Sequence, residues 1–76
     1  MSPNVFKGKN DEEKENLEEI LKSSIEIEEE LMRTYLITAE RIHDDDELKD
    51  RLENFAEGNA KRTKQLMNEL NESKGK

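Results

Sequence analysis

Apolar residues recur at helical spacing over two stretches of the chain, and an acidic cluster, "HDDDE" at 43–47, separates them. At 100° per residue, Leu17, Ile20, Leu21, Ser24, Ile25, Ile27, Leu31, Met32, Tyr35, Leu36, Thr38, Ala39 and Ile42 fall within one arc about 180° wide. Glu18, Glu19, Lys22, Glu26, Glu29, Glu30, Arg33, Glu40 and Arg41 lie opposite. Nothing between Asp11 and Ile42 breaks a helix, and Asn10 with Glu13 three residues on forms a capping-box-like start. The pattern predicts a helix over 11–42, a turn over 43–46 in which Asp44 or Asp45 caps the next element, and a second helix over 47–71. The second stripe is narrower: Leu48, Leu52, Phe55, Ala56, Thr63, Leu66, Met67 and Leu70. Gly58 inside it costs about 1 kcal/mol relative to alanine. Residues 1–9 have no period and read as a flexible lead whose Val5 and Phe6 can dock on the body. Residues 10–73 form the hairpin and 74–76 a frayed tail.

Polar residues interrupt both stripes at their centres. Glu28 projects about 20° from Leu17 and Tyr35, and Asn59 sits at the middle of the second stripe with Arg62 on its rim. A turn near Asp45 makes antiparallel partners sum to about 90, which sets Glu28 level with Arg62, Leu31 with Asn59 and Tyr35 with Phe55. A carboxylate placed in an apolar seam costs several kcal/mol unless it is paired, hydrogen-bonded or protonated. Arg62 is long enough to reach in and pair with Glu28, and Asn59 can donate an amide hydrogen bond. The expected buried polar core is therefore Glu28, Asn59, Arg62 and Tyr35, with the Tyr35 hydroxyl reaching Glu28 or Asn59.

A half-circumference apolar arc is wider than one neighbouring helix covers. A lone hairpin would leave a large apolar patch in water, and self-association removes it. The fold expected is all-α: a two-helix antiparallel hairpin dimerising into a four-helix bundle. Its expected dimer interface comprises Leu21, Ile25, Leu31, Met32, Tyr35, Leu52, Phe55 and Leu66. A higher closed assembly would serve the same end.

Composition narrows the function classes. With 76 residues, 30% apolar and 43% charged, the chain is at most one small domain. The net charge of −7 disfavours nucleic acid as a partner. "KRTK" at 61–64 lies among acids without interleaved aromatics, so a solvated face is the better account of it. There is no cysteine, which excludes disulfides and thiolate metal sites. No apolar run approaches a membrane span and no signal-peptide core is visible, so a cytoplasmic protein is expected. His43 is placed to cap the dipole of the first helix. The acidic turn lacks the length, glycine and terminal glutamate of an EF-hand loop. No catalytic motif is present, and no catalytic residue is assigned.

The inward Glu28 seven residues before Tyr35, the short turn, and the segment "FAEGNAKRTKQL" at 55–66 together resemble one half of a ferritin-like, rubrerythrin-type domain, over about residues 17–70. In that family each helical pair supplies a Glu from its first helix and a Glu-x-x-His motif from its second to a di-iron site. The resemblance implies that Glu28 stands at the first ligand position, Asn59 at that of the Glu and Arg62 at that of the His. Asparagine is a weak neutral ligand, and arginine stays protonated and does not ligate iron. The expectation is a non-enzymatic oligomeric scaffold or interaction protein of ferritin-like character, its metal site replaced by a Glu28–Arg62 ion pair with Asn59 hydrogen bonding. It needs no cofactor, and its principal partner is itself. The alternative is an iron-binding, ferroxidase-like subunit using Glu28 and acids such as Glu57 or Glu13 from neighbouring protomers. A third class is an adaptor whose acidic face, with Glu26, Glu29 and Glu30, binds a basic protein.

Overall fold

The computed structural model describes residues 11–75, which are helical apart from the connecting turn and the last residue. Helix α1 spans Asp11–Glu40 and helix α2 spans Asp46–Lys74; they pack against each other as an antiparallel hairpin. Among the described residues there is no strand. The expected start at Asn10 and the docking of Val5 and Phe6 lie outside the described residues.

The ends of the helices have local causes. α1 stops at Glu40, two residues before the expected Ile42. There the Arg41 and Ile42 amides donate to the Thr38 and Ala39 carbonyls at 3.1 Å each, tight turns that satisfy carbonyls the helix would leave open. No basic residue occupies the last turn of α1. His43 sits three residues beyond the helix, so it does not serve as the expected dipole cap. Asp45 rather than Asp44 is the N-cap of α2, its side chain accepting from the Leu48 amide at 3.0 Å. Asp46 and Glu47 in the first turn and Lys74 in the last complement the helix dipole. With no breaker in "NESK", α2 runs three residues past the expected Asn71 to Lys74.

The core of the hairpin is thin. Leu21, Ala39 and Ala56 are the buried apolar residues among those described, and Asn59 is the buried polar one. The molecule is 16 Å across its smallest dimension. One helix with side chains measures about 10–12 Å, so the hairpin is a single layer with both flanks of its seam in solvent. Ile20, Ile27, Leu31, Leu36, Ile37, Phe55 and Met67 are all exposed. Of the residues expected at a dimer interface, Leu21 is buried between α1 and α2, Ile25, Met32, Tyr35, Leu52 and Leu66 are half-buried, and Leu31 and Phe55 are exposed.

Threonines enter the apolar stripes because their hydroxyls find partners on their own helix. Thr63 donates to the Asn59 carbonyl at 2.9 Å and Thr38 to the Thr34 carbonyl at 2.7 Å. With that bond made locally, the methyl group is what each offers to its surroundings.

Candidate functional site: a polar cluster in the helical seam

Glu28, halfway along α1, meets two residues one turn apart on α2. Asn59 Nδ2 donates to Glu28 Oε1 at 2.7 Å, and Arg62 Nε donates to Glu28 Oε2 at 2.9 Å. One level nearer the turn, the rings of Tyr35 and Phe55 lie 5.5 Å apart at a tilt of 56°. The antiparallel register in which partners sum to about 90 is the one the structure adopts.

The three polar residues differ in how deeply they sit. Asn59 is 2% exposed, whereas the Glu28 side chain is 19% exposed and that of Arg62 is 54% exposed. The sequence placed all three, with Tyr35, in a buried core; within the single hairpin only Asn59 is buried. Arg62 is mostly in water because it starts from the rim of the stripe and reaches Glu28 through Nε alone, a usual compromise of a long charged side chain. Tyr35 is half-buried and its hydroxyl makes no hydrogen bond among the described residues. Seven residues of helix separate it from Glu28 by about 10 Å, and each Glu28 oxygen already has a donor nearer by.

These contacts favour the charged form of Glu28. Its pKa is lowered, first by the Asn59 hydrogen bond, then by the Arg62 hydrogen bond and positive charge, against the opposing effect of burial. Asn59 Oδ1 is buried without a hydrogen-bond partner among the described residues. The amide is thus oriented by its one bond to Glu28 rather than by a fully satisfied network, at a cost a native fold tolerates only rarely.

The donor set does not fit a di-iron site. Glu28 is the one anionic member, its two oxygens already accept from neighbours, and the Arg62 guanidinium brings positive charge to where a cation would sit. Glu57 projects to the far side of α2 from Asn59, and Glu13 lies about 22 Å along α1 from Glu28, so neither joins it within one hairpin. Among the described residues no group of three or more His, Asp or Glu side chains is gathered as a metal ion requires.

Beside the cluster runs an open groove of about 330 Å³ lined by Ser24, Glu28, Arg62, Gln65, Leu66 and Glu69. Gln65 and Glu69 were not singled out from the sequence. Their spacing of three and seven from Arg62 carries the signal, since it sets all three on one side of α2. No helix among the described residues is long and apolar enough to cross a membrane. Compared with models of known protein families, with curated proteins and with solved structures, the chain matches none.

Proposed function

We propose that the protein is a non-enzymatic scaffold that works by self-association, two hairpins closing into a four-helix bundle. The cluster of Glu28, Asn59 and Arg62 fixes the register within each hairpin. The observation that carries this is the imbalance of apolar surface: Leu21, Ala39 and Ala56 are buried, while Ile20, Ile27, Leu31, Leu36, Phe55 and Met67 remain open to water beside the seam. Alanines contribute little hydrophobic stabilisation, and fully burying a leucine is worth about 1.5–3 kcal/mol. A further layer would add to the small stability that so short a chain can draw from its own core, and a second copy is the simplest source.

Ferritin-like character enters as ancestry. The positions that match the family's ligands carry an ion pair and an amide, which neutralise Glu28 without metal. Iron therefore has no role in the proposed assembly.

Sedimentation equilibrium at micromolar concentration tests the assembly, with thermal melts in Fe(II) under anaerobic conditions and in EDTA alongside. A dimer or larger closed species with superimposable melts is expected. A helical monomer would overturn the scaffold, and a midpoint raised by iron would overturn the replaced site.

A further inference from the structure

We infer that one particular flank of the hairpin seats the second copy, and that the Glu28 carboxylate of each copy completes the Arg62 guanidinium of the other. The inference rests on the self-association proposed above and adds to it the face, the orientation and the charged contact.

The two flanks of the seam are unequal. Measured from Glu28 on α1, Ile20, Ile27 and Leu31 lie about 60–100° to one side, and Leu36 about 80° to the other. On α2, Phe55 and Arg62 lie about 40–60° to one side of Asn59, and Met67 about 80° to the other. The groove that joins Ser24 to Arg62 and Glu69, and the contact of Tyr35 with Phe55, show which sides face together. Ile20, Ile27, Leu31, Phe55 and Arg62 therefore share one flank, and Leu36 and Met67 the other.

That flank is balanced about the polar cluster. Ile27 lies at the level of Glu28 and Arg62, and Leu31 lies one turn above it. Ile20 is two turns below, and Phe55, beside Tyr35, is two turns above. Ile27 is 57% exposed and Phe55 52% exposed. An isologous contact presents the same patch from both copies, and its symmetry axis runs through the middle of that patch.

Arg62 supplies the charge argument. It donates through Nε alone, and its two terminal nitrogens have no acceptor among the described residues. They fold back over Gly58, where an added Cβ would stand 3.5 Å from one and 3.6 Å from the other. Each Glu28 oxygen accepts one hydrogen bond and has capacity for a second. A two-fold axis along the hairpin lays α1 over the partner's α2 at equal levels, so Arg62 faces the partner's Glu28. An axis across the helices would set Arg62 against Arg62, like charge on like. The first arrangement also makes every neighbouring pair of helices antiparallel, the regular up-down-up-down bundle.

Substitutions on the two flanks separate this inference from self-association itself. Leu31→Glu and Ile27→Glu are expected to sediment as monomers at concentrations where the wild type is a dimer, with helical circular dichroism retained; Met67→Glu is expected to remain dimeric. For orientation, the absence of cysteine allows an equimolar mixture of Leu31→Cys and Gly58→Cys chains to be oxidised mildly. Mixed disulfide dimers should exceed the two like-with-like products taken together, the share that random pairing would give. A wild-type monomer would sink self-association and this inference together. A wild-type dimer that survives Leu31→Glu, or falls apart on Met67→Glu, sinks the choice of flank alone. A mixed share no greater than that of the two like-with-like products together sinks the orientation.

Discussion

Two levels of the seam, seven residues apart along α1, are held in opposite ways. Where Tyr35 meets Phe55, two rings lie in a tilted contact that fixes no atom of one against a particular atom of the other. Where Glu28 meets Asn59 and Arg62, two hydrogen bonds under 3 Å connect specified atoms, and one partner is fully buried. A shift of the helices by one turn would cost the aromatic level part of its contact. The same shift would bring Ser24 or Met32 opposite Asn59 and leave its amide buried without Glu28. The aromatic level supplies attraction that tolerates sliding, and the polar level penalises sliding. A buried amide in an otherwise apolar seam is a known means of fixing register at some cost in stability.

The sharpest way to break this contrast is to remove a polar atom at each level. Asn59→Ala deletes the buried donor of a charge-assisted hydrogen bond and opens a gap in a thin core. It is expected to cost about 2–3 kcal/mol in urea unfolding. Tyr35→Phe deletes a hydroxyl that bonds to nothing described, and should change stability by no more than about 0.5 kcal/mol. Measuring both in the Leu31→Glu background keeps dimerisation out of the comparison. A loss at Tyr35→Phe as large as at Asn59→Ala would mean that the two levels are held alike.

Acid acts on only one of the two levels, and with a smaller effect than Asn59→Ala. The lowered pKa of Glu28 means that the folded state favours its carboxylate. The resulting stability is fully present above the unfolded value, about 4.3, and is lost as pH falls through the lower folded value. Protonated Glu28 still accepts from Asn59, so only the charged part of the interaction disappears. Following the Glu28 carboxyl carbon by NMR should give a midpoint below the ordinary glutamate value. In Asn59→Ala, which removes the largest cause of the shift, that midpoint should move up. A Glu28 midpoint that ignores Asn59 would remove the amide from the cluster's electrostatics.

Much of the hairpin was legible because its signals are local. The 3.6-residue period, the acidic turn and the absence of breakers predict two helices whose observed ends lie within three residues of those expected. The pairing of Glu28 with Arg62 and Asn59 followed from the turn's position and the antiparallel register alone. Depth was not legible. Arg62 and Tyr35 carry the same sequence pattern whether buried or half in water, and how far they sink depends on how closely α1 and α2 approach. His43 misled for a related reason, since α1 ends at Glu40, three residues short of it, and the imidazole makes no hydrogen bond among the described residues. The inequality of the two flanks was hidden as well. A 180° arc does not say which part of itself the first neighbour covers.

The smallest expected effect comes from Gly58, and its sign depends on what is measured. Gly58 lies inside α2, where alanine is more favourable by about 1 kcal/mol. The added Cβ would meet the Arg62 terminal nitrogens at 3.5–3.6 Å, an ordinary van der Waals separation. Nothing inside the hairpin therefore requires glycine. In the monomeric Leu31→Glu background, Gly58→Ala should raise stability by roughly that 1 kcal/mol. In the wild-type background the new methyl would stand on the flank proposed to seat the partner, between Arg62 and the incoming helix. The dimer should then dissociate at higher protein concentration even as each hairpin grows more stable. Opposite signs in the two backgrounds would assign the glycine to the interface. A gain in both would leave it as an unimproved position on an open face, and would count against that flank.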